Sequence, residues 1–98
     1  VYGSRQVTEP VTRIAVSPGA GGSMIEAALS AGAQVLITGD IGHHAGIDAA
    51  ARGMAVIDAG HYGLEHIFIP FVADYIRRQS GGTVQVLTAE PDFPVQIY

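Results

Sequence analysis

Met54-Ala55-Val56-Ile57-Asp58-Ala59-Gly60-His61-Tyr62-Gly63-Leu64-Glu65-His66-Ile67-Phe68-Ile69 is the stretch whose reading decides the fold. The short apolar run Ala55 to Ile57 reads as a buried strand, which ends in Asp58-Ala59-Gly60 and gives way at once to an amphipathic segment. At this strand-to-helix corner His61 and Glu65 stand four residues apart. A helix beginning near His61 puts imidazole and carboxylate on one face, one turn apart. Such a pair can grip one divalent cation through a ring nitrogen and one or two oxygens. The spacing is common, and the plainer reading of it alone is a capping histidine with a solvated glutamate.

Outward from the corner, strands and helices alternate. Thr12-Arg13-Ile14-Ala15-Val16 is a β-branched run that predicts the first strand, and Gln34-Val35-Leu36-Ile37 predicts the second. Between them a helix is expected with Ser23 as its N-cap, Glu26 at capping-box spacing and Gly32 as its stop. A second helix covers roughly residues 44–52 and ends at Gly53. Downstream of the corner, Leu64, Ile67, Phe68, Phe71, Val72, Tyr75 and Ile76 form an i, i+3, i+4 stripe that is expected to face a core. This predicts a third helix, kinked at Pro70, which lacks a backbone donor and crowds the turn before it. Residues 83–88 alternate as a fourth strand, and Val95-Gln96-Ile97 reads as a short edge strand. The expectation is a single α/β domain over residues 1–98, built of βαβ units, with a mainly parallel sheet of four to five strands and three helices.

Composition narrows the function classes. The 98 residues are 48% hydrophobic and 14% charged, an ordinary globular balance for one domain. Net charge is −4, carried with five arginines and no lysine, so no basic face suits nucleic acid or an anionic membrane. The absence of cysteine removes disulfides, thiolate zinc sites and a cysteine nucleophile. No apolar run approaches the roughly 18 residues of a membrane span, and no secretory leader pattern is visible. A cytoplasmic protein is the expectation. Val1-Tyr2-Gly3 reads as the tail of a strand, and the chain is expected to be a piece of something longer.

In parallel α/β sheets the loops after the carboxyl ends of the strands gather on one edge, where ligands bind. Three successive strands here lead into polar or glycine-rich loops: Ser17-Pro18-Gly19-Ala20-Gly21-Gly22-Ser23, then Thr38-Gly39-Asp40 with His43-His44, then Asp58 with Gly60-His61. The opposite connections, Gly32-Ala33 and Gly53-Met54, are plain. In the first loop, Ser17, Gly19, Gly21 and Gly22 offer amides at a helix start that suit an anion; a tight turn letting helix pack on strand is the competing reading. Met24 stands where a dinucleotide fingerprint needs glycine, and the Gly-Lys-Ser/Thr end of a phosphate loop is missing. Asp40 is either a cap for the second helix or a contact for substrate. Asp58 either orients His61 or caps a helix. His43 and His44 are adjacent, so at most one points into a site.

Thr38-Gly39-Asp40-Ile41-Gly42-His43-His44 and Ile57-Asp58-Ala59-Gly60-His61-Tyr62-Gly63-Leu64-Glu65 together strongly resemble one family, the NGG-one-interacting-factor-three-like family, also called GTP cyclohydrolase I type 2 homologues. The resemblance is to the family's C-terminal half and spans nearly the whole chain. It implies a dinuclear centre between two α/β halves, holding two divalent ions (Zn, Mn or Fe), in a ring-like homo-oligomer, a hexamer in the family. It makes His61 and Glu65 metal ligands. His44 matches the histidine of the T-G-D-x-x-x-H motif and is expected to line the pocket, with Asp40 and Asp58 as substrate or supporting groups. The remaining ligands, a tandem His and an Asp, belong to the family's N-terminal half, which this sequence lacks and which becomes its expected partner. The resulting expectation is the C-terminal half of a dinuclear metal-binding, hydrolase-like protein with a small phosphorylated or nucleotide ligand, inactive by itself. The rivals are a non-catalytic metal- or nucleotide-binding assembly module and, more distantly, a nucleotide-binding half-Rossmann unit using Asp40 and the glycine loop.

Overall fold

A computed structural model describes residues 1–4, 8, 10–90 and 92, and these divide into two compact units, Val1–Leu64 and Glu65–Tyr98. The first unit holds the sheet. Strands β1 (Ile14–Ala20), β2 (Val35–Gly39) and β3 (Ala55–Asp58) lie side by side in chain order, all parallel. Helix α1 (Ile25–Ser30) crosses from β1 to β2, and α2 (His43–Ala51) from β2 to β3. Register sets Ala15 beside Leu36 and Leu36 beside Val56, and these three belong to or pack against the core. Period-two alternation makes that one face of the sheet. Against it α1 contributes Ile25 and Ala28 and α2 contributes Ala49, with Ala33, Ile41 and Met54 closing the ends. The small Ala28 and Ala49 let both helices approach closely. Leu36, Met54 and Val56 are essentially solvent-free, and truncating a side chain such as Leu36 to alanine costs about 2–5 kcal/mol. On the opposite parity of β1, Ile14 and Val16 remain exposed.

The strand tail expected at residues 1–3 is an isolated bridge at Tyr2. This residue exchanges both backbone hydrogen bonds with Val56 in an antiparallel bridge, at 2.8 and 3.0 Å. Its ring lies so close over α2 that a Cβ on Gly46 would sit 2.6 Å from it.

Several local expectations need correction. The first loop is shorter than its glycines suggest: β1 continues through Ala20, with an irregularity in register between Val16 and Ala20. A 3-10 turn over Gly21–Met24 then leads into α1, so Ser23 caps nothing and the capping box does not form. Glu26 instead pairs through both oxygens with the Arg52 guanidinium beyond α2. That hydrogen bond holds the Glu26 carboxyl below, and the Arg52 guanidinium above, their ordinary pKa values.

The expected third helix is two. Helix α3 (His61–Glu65) ends before a turn, and α4 (Phe68–Ser80) starts again with Pro70 in its first turn. A continuous helix would need Pro70 to donate to the carbonyl of His66; it has no proton to give. The Ile69 amide takes that carbonyl instead, at 3.1 Å. The break therefore falls ahead of the proline, where it is tolerated.

Within the second unit, α4 buries only Ala73, while Phe68, Phe71, Tyr75 and Ile76 are exposed. Gly81, at φ +57°, ends the helix in a left-handed cap. Residues 83–88 form no strand. Alternation permits a strand, but a strand also needs a ladder partner, and the sheet has three strands among the described residues. The Val86 carbonyl accepts from Arg77 instead, at 3.4 Å. The expected edge strand at Val95-Gln96-Ile97 lies outside the described residues. No described helix is long and apolar enough to cross a membrane.

Candidate functional site

The parallel register pairs Thr38 with Asp58, so β2 and β3 leave the sheet at the same level on its carboxyl edge. There the two segments nearly touch. A Cβ on Gly39 would lie 2.6 Å from the Gly60 carbonyl carbon and the His61 nitrogen, so only glycine fits that position. The Ala59 amide donates to the Thr38 carbonyl at 2.8 Å, extending the pairing past the strand end. Thr38 itself is fully buried, its hydroxyl directed at the Gly19 carbonyl.

One carboxylate gathers this corner. Asp58 Oδ1 accepts from the Gly60 amide at 2.9 Å and from the Asp40 amide at 3.1 Å, and its Oδ2 accepts from the Ile41 amide at 3.1 Å. Hydrogen bonds to an ionised acceptor are the stronger kind. Held in this way, Asp40 takes φ +50°, the sole left-handed non-glycine residue among those described. Aspartate tolerates that region better than most residues. Its side chain turns to the neighbouring loop, where Oδ2 lies 2.9 Å from Nδ1 of His61. About half of each of the two side chains is exposed (55% and 48%).

Asp40 and His61 are thus brought together, while Asp58 serves backbone amides in place of the imidazole. Asp40 does not cap α2, whose N-cap is Gly42 without a side-chain bond. His61 and Glu65 are the first and last residues of α3. His44 is exposed near the start of α2, its ring edge-on to His43 at 5.6 Å. In the glycine segment, Ser17 and Gly19 lie within β1, Gly21 is buried where a Cβ would strike the Thr38 hydroxyl at 2.0 Å, and Gly22 is exposed. The Asp40–His61 contact joins residues 21 apart, which helical spacing does not reveal. The Thr38–Asp58 register reveals it, because two residues past each partner stand Asp40 and Gly60, with His61 next.

Imidazole and carboxylate are apt donors for Zn, Mn or Fe. Among the described residues, however, no three of His, Cys, Asp or Glu gather closely enough to hold a metal ion. His61 brings one imidazole and Asp40 one carboxylate to the corner, fewer donors than a catalytic ion usually takes.

Fold and corner together define a class: a parallel α/β unit that presents aspartate and histidine at the carboxyl edge of its sheet. The chain belongs to the Duf34/NIF3 (NGG1p interacting factor 3) family, whose model matches residues 1–92. A Lactococcus lactis protein named GTP cyclohydrolase 1 type 2 homolog is 45% identical over 71 residues, covering 72% of this chain and 27% of that protein. A Streptococcus pneumoniae protein of the same name is 33% identical over 92 residues, covering 91% and 34%. A crystal structure of a Staphylococcus aureus protein superposes with TM-score 0.71 at 27% identity over 90% of this chain and 30% of that one. The chain thus spans about a third or less of the relatives it matches.

Proposed function

We propose that this chain is the C-terminal half of a dinuclear metal-binding, hydrolase-like protein of the GTP cyclohydrolase type 2 homologue kind. The observation that carries the reading is the meeting of Asp40 and His61 at 2.9 Å on the carboxyl edge, with Glu65 closing the helix that His61 opens. In this reading His61 and Glu65 hold metal, and the ligands still needed come from the part of the protein that the relatives' greater length leaves room for. Two divalent cations at such a centre supply Lewis acidity toward a phosphorylated or purine-like substrate. The part of this chain is to present donors from a corner braced by Asp58 and, with Asp40 and His44, to border the substrate. Alone, it binds metal weakly, because a catalytic ion usually takes three protein ligands.

The test is elemental analysis of the full-length protein carrying His61→Ala or Glu65→Ala. Each is expected to lose most of its metal while circular dichroism stays unchanged; full metal content in both variants defeats the ligand assignment.

A second reading, an assembly module without catalysis, draws on the exposed apolar face of α4. There Phe68, Val72, Ile76, Val86 and Leu87 help line an open groove of about 410 Å³. Metal occupancy without turnover of nucleotide substrates in the presence of Zn²⁺ or Mn²⁺ would favour it.

A further inference from the structure

We infer that Asp58 is a positioning residue: by drawing in the amides of both Asp40 and Ile41 it turns the chain at Asp40, and so holds the Asp40 carboxylate over the carboxyl edge of the sheet. The inference rests on the function proposed above for its purpose, since Asp40 there borders the substrate, but its geometry stands by itself. A backbone amide can only donate, so the Asp58 oxygens are the acceptors, Oδ1 for Asp40 and Oδ2 for Ile41, both at 3.1 Å. These two amides are joined through the φ and ψ of Asp40 alone. Successive amides converge on one anion where the backbone between them turns, as in an anion-binding nest, and not where it runs extended. Asp40, at φ +50°, is that turn.

The turn decides where the Asp40 side chain goes. β2 ends at Gly39, and a strand continued by one residue would put Asp40 on the same face as Thr38, which is fully buried. The turn carries the carboxylate instead to the β3 loop, 2.9 Å from His61, with about half of the side chain exposed. A non-glycine residue persists at such a φ only where its surroundings over-determine it. Asp58 is well placed to do so. It is the last residue of β3, the register sets it beside Thr38, and its bond to the Gly60 amide at 2.9 Å ties its own loop to the same point. With three amides on its two oxygens, Asp58 is engaged with the main chain, and it acts on a ligand through Asp40.

The backbone of Asp40 can be read without metal or substrate, by NMR of the 98-residue chain. A positive φ brings a residue's amide proton and Hα to their closest approach, which gives a strong nuclear Overhauser effect between them. The wild type is expected to show that signal at Asp40. Asp58→Ala should lose it, while contacts between Leu36 and Val56 report that the sheet is intact. Asp58→Asn keeps one accepting oxygen and turns the other into a donor facing an amide, so its signal should fall between the two. This milder variant decides the matter if Asp58→Ala fails to fold. A merely structural role would lower stability and leave the signal alone, so an Asp40 signal undiminished in the folded variants overturns the inference, as does its absence from the wild type. In the full-length protein, elemental analysis is expected to find more metal in Asp58→Ala than in His61→Ala. A loss as complete in Asp58→Ala overturns the positioning role by making Asp58 a ligand. Failure of the metal reading shows separately, as full metal content in His61→Ala.

Discussion

The two edges of the sheet are fastened by the same device built from different chemistry. At the amino edge the Gln34 side-chain oxygen accepts from the Thr12 amide at 2.8 Å, the Thr12 hydroxyl at 3.1 Å and the Arg13 amide at 3.1 Å. At the carboxyl edge Asp58 accepts from three amides at similar distances. Each is one side chain collecting three donors from a nearby segment. The neutral amide fastens the segment before β1 to the start of β2. The charged one holds Asp40 in a left-handed conformation beside a histidine. A fold that needed only closure could have used glutamine at both ends. What distinguishes the edges is thus the charge, and it falls where a parallel sheet binds its ligands.

The largest effect expected of a test of this contrast comes from Gly39→Ala. Its methyl would fall within 2.6 Å of the backbone at Gly60 and His61, so the loops must part, at about 3 kcal/mol by chemical denaturation. Loss of stability well under about 1 kcal/mol would mean that the two loops are not locked. Next comes the direct comparison. Asp58→Ala strands three amides from a charged acceptor and should lose about 2 kcal/mol, and Gln34→Ala about 1 kcal/mol. Equal losses would erase the distinction between the edges. The smallest effect belongs to neither edge. Glu26 has its pKa lowered by Arg52, so the stabilisation it gives is present above the carboxyl's unfolded pKa and lost as pH falls through the lower folded value. Both partners are exposed, so Glu26→Gln should barely move Tm at neutral pH, and less still in high salt.

Much of the fold is legible in the residues themselves. β-Branched runs at residues 12–16, 34–37 and 55–57 announce three strands joined by helices, because period and composition there agree. Where the chain departs from its own patterns, the causes are local. Residues 83–88 alternate as well as any strand does, but alternation says nothing about whether a partner backbone stands alongside. Ser23 and Glu26 have capping spacing, yet Arg52, 26 residues away, offers Glu26 a full charge where the cap offers one amide. Pro70 signals an interruption, and it produces a break in place of a bend because the missing donor acts four residues upstream. Of the candidate site, the strand-end aspartates and His61 stand out one by one. Their division of labour does not, since it depends on the register between two strands and on a backbone angle that residue identity alone leaves open.

The Tyr2 bridge carries a consequence for the order of assembly. β1 with β2, and β2 with β3, join segments about twenty residues apart, whereas Tyr2 and Val56 must close a loop of more than fifty. Of the sheet's pairings the Tyr2 bridge has the greatest sequence separation, so it is expected to form after the others. Without that bridge the Val56 amide and carbonyl would face water, able to pair with another strand.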